Sequence, residues 1–359
     1  MLSYISAKEA AEKWNISQRR VSILCAEGRV EGAMMVGNMW IIPSTSEKPL
    51  DKRVSHADAL IENSVKPFVK WVGGKGQLLE ELQKHLPKEN KYTKYAEPMV
   101  GGGALFFNVV SMGKFSQFYI SDINKELINV YQVIKTNVEE LISKLLEMQM
   151  SFLPMDENGR RYYYHLVRDK FNKIELNADN KIDKACLFLF LNKTCFNGLY
   201  RVNKKGQFNV PMGAYKNPNI CDEENLKRVS SVLQSAEIVC GDYKKCFDFV
   251  DDKTFVYIDP PYRPISQTSA FTSYNTDTFD DNEQIRLAEF VKSLDKKGAM
   301  VMVSNSDPQN VNPTDKFFED LYGDFKIDKV NAARAINSKG GGRGKIKELL
   351  ICNYKEENK

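Results

Sequence analysis

Short apolar runs alternate with longer amphipathic stretches along most of the chain, beginning beyond about residue 65. The run at residues 254–258, Thr-Phe-Val-Tyr-Ile, indicates a buried strand. We predict strands at residues 92–96, 117–121, 237–240, 254–258, 299–304, 326–330 and 348–353. Strands that alternate with helical stretches predict an α/β sheet.

One long stretch interrupts this alternation between the second and third predicted strands. Residues 137–190 are mostly charged and helical in pattern, and a hairpin follows them. We therefore predict an inserted subdomain at about residues 137–235.

The first 43 residues have the pattern of a small separate unit. Ser6 precedes a predicted helix at residues 7–14, and Ser17 precedes a second at 18–26, with the turn at Asn15 and Ile16. Gly37 and Asn38 then separate two short apolar runs, which predicts a hairpin wing.

Two helices joined by a tight turn and followed by a wing predict a winged helix-turn-helix, which resembles excisionase- or MerR-type DNA-binding modules. Arg19 and Arg20 lie near the start of the second helix, where they are able to face DNA. A small protein-docking domain is the alternative. Residues 44–65, polar and containing Pro49, are expected to be a linker with a short helix at 57–62, which leaves residues 66–354 for the main domain.

Composition narrows the class of protein only modestly. At 359 residues, with 42% hydrophobic and 27% charged residues, the chain has the balance of an ordinary folded protein with more than one domain. The net charge of +4 does not by itself indicate nucleic acid, so that inference depends on local clusters of lysine and arginine.

Cysteine and histidine usage argues against metal sites and disulfides. The seven cysteines form no CxxC pair, and the three histidines are far apart in sequence, so we expect neither a zinc site nor a disulfide framework. Reduced thiols fit a cytoplasmic location. The chain has no apolar run long enough for export or for a membrane span, so we expect no membrane association.

The most informative motif is the tetrapeptide Asp259-Pro260-Pro261-Tyr262, which directly follows the apolar run at 254–258. Ligands bind at the ends of such strands in α/β folds, and prolines donate no N–H, which leaves carbonyls to face a ligand. A carboxylate, a free carbonyl and an aromatic ring suit a flat ring that carries an exocyclic amino group. A capped turn without function is the alternative.

A glycine-rich turn suggests a second part of the same site. Gly101, Gly102 and Gly103 lie between a predicted strand and an apolar helix, where backbone and helix N-terminus approach a ligand closely. Asp122 ends the next strand about 20 residues later, the place where nucleotide-binding units bond ribose. Asp122 also suits the N-cap of a helix at 125–135. The glycines do not form a clean GxGxxG, so nicotinamide binding is weakly supported.

Four motifs follow one another along the chain: WVGGK at 71–75, EPMVGGG at 97–103, SDIN at 121–124 and DPPY at 259–262. In this order they resemble the motifs of the Dam-type DNA adenine-N6 methyltransferases, the alpha group of the D12 class. Residues 192–215 are similar to that family's DNA-recognition hairpin, and FTSY at 271–274 and the tail at 338–350 are similar too. The resemblance covers roughly residues 66–354 and implies a Rossmann-like S-adenosylmethionine-dependent methyltransferase fold, with the insertion as its DNA-recognition subdomain.

The resemblance implies a methyl transfer from S-adenosylmethionine, without a metal, to N6 of an adenine flipped out of double-stranded DNA. Asp259 and the Pro260 carbonyl would accept the amino hydrogens, and Tyr262 would stack on the base. Cofactor contacts are expected from Trp71, Lys75, Asp122, Asp259, Gly101 and Gly103. Asp242 is a further candidate for the cofactor adenine, although Gly241-Asp242 also suits a plain turn.

The resemblance also implies contacts to DNA and a GATC target. Phe196 matches the aromatic wedge, with a hydrophobic hairpin cap as the alternative, and Lys70 matches a lysine that reads the outer guanine. Other expected DNA contacts are Asn197, Leu199, Arg201, Pro211, Tyr215, Lys339 and Arg343. Arg201 is the best donor for a bidentate guanine contact, and the lysines, among them Lys193, Lys204 and Lys205, suit phosphates.

Three other functions remain open at this point. A cytosine-N4 methyltransferase would use the same amino-group geometry, and a non-catalytic DNA-binding regulator would retain the fold alone. A nicotinamide dehydrogenase is disfavoured by the glycine pattern. The sequence leaves open whether the chain protects DNA from a cognate restriction endonuclease acting on the same site, belongs to a phage or regulates genes.

Overall fold

The structure, a computed structural model, describes residues 3–14, 16–37, 39–46, 48, 65–263, 279–333 and 345–354. Internal contacts divide the chain into two compact units, Met1–Ser64 and Val65–Lys359. The short helix expected at 57–62 and the FTSY motif at 271–274 lie outside the described residues.

The N-terminal unit combines two helices with a small antiparallel sheet. Its elements are β1 (Tyr4–Ser6), α1 (Ala7–Trp14), α2 (Gln18–Ala26), β2 (Met34–Val36) and β3 (Met39–Pro43). The sheet order is β1-β3-β2. The sequence analysis missed β1, because three residues are too few to display a strand pattern, whereas the two apolar runs of the expected hairpin form β2 and β3.

Reciprocal capping begins the first helix of this unit. The backbone N–H of Ser6 donates to Glu9 at 2.7 Å, and the N–H of Glu9 donates back to the Ser6 hydroxyl at 3.3 Å. Ser17 caps α2 by accepting from the N–H of Arg20. Ala10, Trp14 and Val21 are buried in a core between the helices and the sheet.

A mixed seven-stranded sheet forms the centre of the second unit. Its strands are β4 (Lys94–Pro98), β5 (Gln117–Asp122), β6 (Ala236–Cys240), β7 (Thr254–Ile258), β8 (Met300–Ser306), β9 (Lys326–Ala333) and β10 (Lys345–Cys352). They lie in the order β6-β5-β4-β7-β8-β10-β9. The first five strands of that order are parallel, whereas β10 runs antiparallel to both of its neighbours. The predicted α/β sheet is confirmed, with strand ends that differ by a few residues.

The topology creates a crevice at the middle of the sheet. From β4 the chain proceeds outward to β5 and β6, then returns to β7 on the other side of β4 and continues to β8. Connections that leave in opposite directions open a gap at the carboxyl ends of β4 and β7. Residues that follow those two strands therefore face a common space.

Among the described residues of the second unit, the α-helices are α3 (Leu79–Lys84), α4 (Ala104–Ser111), α5 (Lys125–Phe152), α6 (Glu157–Lys173), α7 (Lys181–Thr194), α8 (Glu223–Leu233), α9 (Asp281–Lys296) and α10 (Phe317–Leu321). The helix expected at 125–135 is longer than predicted: it passes a kink at Asn137, where φ is −141°, and continues to Phe152. Its extension is stabilised by burial of Leu141, Ile142 and Leu145. Helices α6, α7 and α8 follow it before the chain returns to the sheet at β6.

Alternate residues of the central strands enter two different cores. Tyr95 and Phe255 pack on one face together with Phe106 of α4. Ala96 and Val256 pack on the other face with the helix α9. Burial on both sides explains why these strands are uniformly apolar. All seven cysteines are free thiols, and among the helices that the structure describes none is long and apolar enough to cross a membrane.

Candidate active site

Asp259 lies directly after β7, at the crevice in the middle of the sheet. Its Oδ1 accepts a hydrogen bond from the Ser304 hydroxyl at 2.8 Å and forms an ion pair with the Lys75 Nζ at 2.9 Å. Within the described part of the chain, no group donates to its Oδ2. The carboxylate is therefore fixed through one oxygen and is able to offer the other to a ligand.

Lys75 is buried, with a side chain that is only 6% exposed. Its ammonium donates to the Gly73 carbonyl at 3.0 Å, pairs with Asp259, and lies 4.5 Å from the centre of the Tyr262 ring. A buried ammonium is stable only when it is paired and hydrogen-bonded. The structure thus joins two motifs that are far apart in sequence, WVGGK and DPPY.

A second layer of buried polar groups supports Asp259. The Tyr257 hydroxyl lies 3.1 Å from the Ser304 hydroxyl, which in turn holds the carboxylate. At the end of β4, the Tyr95 hydroxyl donates to Glu97 at 2.5 Å. Burial, together with the nearby charge of Asp259, raises the pKa of Glu97 to about 8, so this carboxyl is mainly protonated at neutral pH.

Sequence reasoning did not select Glu97 or Ser304 as site residues. A usable signal was present for both, because each is a polar residue at or near the end of a buried strand that borders the crevice. Glu97 is the next-to-last residue of β4, and Asp259 directly follows β7. Parallel strands that meet at one edge bring such residues together.

The backbone of the tetrapeptide is held by buried amide side chains. Gln284 of α9 donates to the Pro261 carbonyl at 3.1 Å, and its own oxygen accepts from Asn305 at 3.1 Å. Asn305 also accepts from the N–H of Arg263 at 3.3 Å. By contrast, no described residue donates to the carbonyl of Pro260. The prediction of a free prolyl carbonyl therefore fits Pro260 and is wrong for Pro261.

Tyr262 is anchored at its hydroxyl. The phenol donates to Glu348 of β10 at 2.6 Å, while one face of the ring contacts the Lys75 ammonium. Burial, followed by the negative charges of Asp259 and Glu348, raises the pKa of Tyr262 above its ordinary value. The ring is thus a fixed, neutral wall beside Asp259.

The glycine-rich turn leads from β4 into α4 and packs against Trp71. At Gly101, where φ is +50°, an added Cβ would lie 2.7 Å from the Trp71 ring, so both conformation and space require glycine. Gly103, with φ of +69°, is the residue before the first turn of α4. The turn therefore exposes backbone at a helix N-terminus, which favours a charged or polar ligand group.

Asp122 ends β5 and ties the turn to the next helix. One of its oxygens accepts from the N–H of Gly101 at 3.0 Å, and the other accepts from the N–H of Asn124 at 2.9 Å. The N-cap of α5 is Asn124, which accepts from Glu126 and Leu127, so the capping alternative for Asp122 is wrong. Burial raises the pKa of Asp122, although the backbone hydrogen bonds act in the opposite direction.

Asp242 lies after β6, at the same edge of the sheet, and is engaged by protein groups. It pairs with Arg286 of α9 at 2.6 Å and accepts from the N–H of Lys244 at 2.9 Å, which begins the short helix Tyr243–Asp248. Burial alone would raise its pKa, but the hydrogen bonds from Arg286 and Lys244 lower it overall. The turn at Gly241-Asp242, the alternative to a cofactor contact, is therefore present. A ligand that binds Asp242 would share this carboxylate with Arg286.

The segment similar to a recognition hairpin follows α7. Isolated antiparallel bridges join Cys195 to Met212 and Val202 to Phe208. Phe196 is 51% exposed, and its N–H donates to the Pro211 carbonyl at 2.9 Å. Asn197 adopts a positive φ of 54°, which turns the chain sharply at this point. An exposed aromatic ring on a sharp turn is available for an external partner.

Several other residues predicted to contact DNA lie close to this turn. The Lys70 ammonium lies 4.2 Å from the centre of the Tyr215 ring, and Leu199 is half-buried. Arg201 donates from Nε to the Asn209 side chain at 2.8 Å. Lys193, by contrast, belongs to α7 rather than to the hairpin, and burial lowers its pKa. Lys339 and Arg343 lie outside the described residues.

Taken together, the crevice presents the carboxylates of Asp122 and Asp259, the mainly protonated carboxyl of Glu97, one buried ammonium and a glycine turn. Carboxylates suit hydroxyl, amino and ammonium donors, and the ammonium suits an anionic group. Within the residues described, no cluster of three or more His, Cys, Asp or Glu side chains has the arrangement to hold a metal ion.

Comparison with known proteins gives a consistent result. The model of the D12 class N6 adenine-specific DNA methyltransferases matches residues 71–336. The type II methyltransferase M.MjaIII of Methanocaldococcus jannaschii is 51% identical over 294 residues, which cover 81% of this chain and 99% of that protein. M1.LlaDCHI, a type II methyltransferase of Lactococcus lactis subsp. cremoris, is 42% identical over 81% of this chain and 96% of that protein. The DNA adenine methylase of Escherichia coli K12 is 36% identical over 79% of this chain and 93% of that protein.

Proposed function

The chain belongs to the D12 class N6 adenine-specific DNA methyltransferases, and we propose that it methylates the adenine of GATC after that base has been flipped out of double-stranded DNA. Adenine-specific DNA methylation follows from the family; the target sequence and the flipped base are part of the proposal. The observation that carries it is Asp259, fixed through one oxygen by Lys75 and Ser304 beside the carbonyl of Pro260.

The family implies S-adenosylmethionine, which supplies an electrophilic methyl group on a sulfonium when it is bound. The residues present fit this molecule. Lys75 has three N–H bonds and uses only two on Gly73 and Asp259 among the described residues, so one remains for the methionine carboxylate. Asp122 lies at the end of β5, where a carboxylate suits ribose hydroxyls. Trp71, Gly101 and Gly103 form the wall and turn between them, and Asp242 is proposed for the adenine of the cofactor.

Asp259 and Pro260 act on the target amino group. The free Oδ2 of Asp259 and the Pro260 carbonyl accept its two hydrogens, which favours a pyramidal nitrogen with its lone pair aimed at the methyl group. The same acceptors stabilise the positive charge that develops on nitrogen. The amino group is too weak an acid to lose its proton first. After methyl transfer the nitrogen is cationic, and the Oδ2 of Asp259, hydrogen-bonded to it, accepts the proton and passes it to solvent. Alignment in the crevice supplies much of the remaining rate enhancement.

Tyr262 is proposed as the stacking platform for the flipped adenine. The Lys75 ammonium contacts one face of the ring, so the base would use the other face. The hydrogen bond to Glu348 fixes the ring plane and thereby reduces the entropy lost when the base stacks. Either adenine or cytosine is able to stack on the Tyr262 ring. The modified nucleoside must therefore be identified directly.

The insertion at about residues 137–235 is proposed as the DNA-recognition subdomain. Phe196 is the wedge that fills the gap left by the flipped base, supported by its exposure at the sharp turn beside Asn197. Arg201 reads a guanine, and its guanidinium would have to reorient from Asn209 or share it. Further proposed contacts are Lys70, Leu199, Pro211, Tyr215, Lys339 and Arg343.

The N-terminal unit is proposed as a winged helix-turn-helix that adds DNA affinity or targeting. Support comes from the helices α1 and α2 and from the hairpin of β2 and β3. The family match begins at residue 71, so this unit lies outside it. A protein-docking role remains the alternative, and the apolar side chains Met34, Met35 and Met39, which are exposed on the hairpin, are the observation that favours it.

We also propose a partner in cells, a restriction endonuclease that cuts the same sequence. Two of the relatives are named type II methyltransferases. A third relative is named a DNA adenine methylase, and that name does not imply a partner endonuclease.

The test is methylation of random-sequence duplexes with S-adenosylmethionine, followed by nucleoside analysis and mapping of the modified positions. N6-methyladenine confined to GATC would support the proposal. N4-methylcytosine would overturn the assignment of the base, and N6-methyladenine at another sequence would overturn the proposed target while leaving the chemistry intact. Absence of any modification by the folded protein would favour the non-catalytic regulator.

A further inference from the structure

Two buried asparagines hold the short segment that precedes Trp71. Asn225 of α8 accepts from the N–H of Lys66 at 3.0 Å and donates to the carbonyl of the same residue at 2.9 Å. Asn192 of α7 does the same to Lys70, at 2.9 Å and 2.8 Å. Each side chain thus satisfies both backbone groups of one residue, as a neighbouring strand would.

Asn192 makes one additional bond that Asn225 does not. Its amide nitrogen also donates to the carbonyl of Gly198 at 3.0 Å, which uses both of its N–H groups. Gly198 belongs to the sharp turn Phe196–Gly198, and φ at this glycine is +64°. A Cβ on Gly198 would lie 2.4 Å from the Cβ of Lys70, so the turn is packed directly onto that residue.

Aromatic rings form a second connection between the same two segments. The Trp71 ring is stacked on Tyr200, with centroids 5.7 Å apart and an angle of 22° between the planes. Tyr200 is stacked in turn on Phe188 of α7, at 5.4 Å. Trp71 also packs against the glycine turn at Gly101. One face of the proposed cofactor pocket is therefore continuous with the turn that carries the proposed wedge.

We infer that Asn192 is a positioning residue that couples the cofactor pocket to the DNA-recognition turn. A change in the position of Trp71 on cofactor binding is transmitted through Lys70 to Asn192 and then to Gly198, and binding of DNA at Phe196 is transmitted in reverse. Coupling between two sites is reciprocal, so each ligand must change the affinity of the other by the same factor. The inference relies on the proposed function, because it needs both ligands.

The matched pair Asn192→Leu and Asn225→Leu isolates the additional bond. Both variants lose a pair of backbone hydrogen bonds on the same segment at similar burial, 3% and 6% exposure. Only Asn192→Leu also loses the bond to Gly198. If Asn192→Leu does not fold, the pair Asn192→Ala and Asn225→Ala replaces the leucine pair, because alanine removes the same hydrogen bonds and adds neither a charge nor a branched side chain.

The measurement is the dissociation constant of a GATC duplex with and without S-adenosylhomocysteine, by fluorescence anisotropy on the full-length protein. Calorimetry of S-adenosylhomocysteine with and without the duplex gives the reciprocal ratio. For the wild type we expect each ligand to change the affinity of the other at least about fivefold, the lower end of measured couplings. The ratio of the dissociation constants without and with the second ligand should fall to about one in Asn192→Leu and remain near the wild-type value in Asn225→Leu. A duplex with 2-aminopurine at the target position should also show weaker fluorescence enhancement in Asn192→Leu only.

Three results would overturn the inference. They are a ratio of one in the wild type, the wild-type ratio in Asn192→Leu, and an equal loss of the ratio in Asn225→Leu, which would assign the effect to general loosening of the segment. In each case methylation of GATC by the wild type would leave the proposed function standing. A folded wild-type protein that methylates no duplex would overturn the proposed function and the inference with it, so the two failures are distinguishable.

Discussion

Replacing Asp259 by asparagine should abolish most methyl transfer while leaving the protein folded. The substitution keeps the size of the side chain and removes its charge. The Lys75 ammonium, 2.9 Å from the carboxylate and only 6% exposed, then loses its counter-charge. An amide is also a weaker acceptor for an amino group that becomes positive in the transition state.

The expected magnitudes come from these two effects. Loss of one preorganised acceptor of developing charge costs about a hundredfold to a thousandfold in turnover, or about 3–4 kcal/mol. Removing one partner of a buried ion pair destabilises a protein by about 3–5 kcal/mol. Asp259 is 21% exposed, so a value at or below the lower end of that range is expected for stability.

The assay is single-turnover transfer of a tritiated methyl group to a GATC duplex, together with chemical unfolding to measure stability. Asp251→Asn is the matched control. Asp251 forms an ion pair with Lys94 at 2.9 Å, the same distance as that between Asp259 and Lys75. Asp251 precedes β7, so it lies at the opposite edge of the sheet from the crevice. The control should lose some stability and retain turnover near the wild-type value.

Turnover within tenfold of the wild type in a folded Asp259→Asn protein would refute the assignment of Asp259 as the acceptor of the amino group. An equal loss of turnover in Asp251→Asn would show that the effect arises from general destabilisation. Retained DNA binding in Asp259→Asn, measured separately, would confirm that the loss concerns the chemical step.

Four further outcomes are expected. Asp122→Ala should weaken binding of S-adenosylhomocysteine in calorimetry without changing sequence preference, and unchanged affinity would remove Asp122 from the cofactor site. Arg201→Ala should relax discrimination at one guanine of GATC by about 1–3 kcal/mol, whereas Lys204→Ala should weaken binding to every sequence and flatten its salt dependence; a uniform loss in Arg201→Ala would make it a phosphate contact. Deletion of residues 1–64, a separate compact unit, should leave methylation of short duplexes measurable, and complete loss in a folded truncation would contradict this. Because burial raises the pKa of Glu97 from 4.5 to about 8, the native state keeps a proton that the unfolded chain releases. The contribution of Glu97 to the free energy of unfolding therefore falls as pH rises from about 5 to about 8. In denaturant titrations over this range, the stability of Glu97→Gln relative to the wild type should increase by roughly 1 kcal/mol per pH unit.

Local patterns predicted the elements of both units well, for a simple physical reason. Strands buried on both faces must be apolar throughout, so a run such as residues 254–258 has few other interpretations. Ser6 and Ser17 precede α1 and α2, and their side chains accept from backbone N–H groups in the first turn, a form of capping that is visible in sequence. The kink at Asn137 shows the limit, since the sequence did not predict that one helix would pass through it and bury Leu141 and Leu145 on the far side.

The chemical motifs were also legible in the sequence, because each lies within a few residues of a strand end. Asp259, Asp122 and the glycines at 101–103 could be assigned to one edge of a sheet without knowledge of strand order. Their residue types alone restricted the ligand to one with amino and hydroxyl groups. The family resemblance then supplied the reaction.

Only the tertiary structure decided which of these groups touch. The order β5-β4-β7 brings Glu97 beside Asp259, and burial, which has no signature at a single position, shifts the pKa of Glu97. Lys75 reaches Asp259 and Asn192 reaches both Lys70 and Gly198 through contacts between residues distant in the chain. Strand and helix formation depend on neighbours in sequence, whereas hydrogen bonds between side chains depend on how whole elements pack, and that information is distributed over the entire chain.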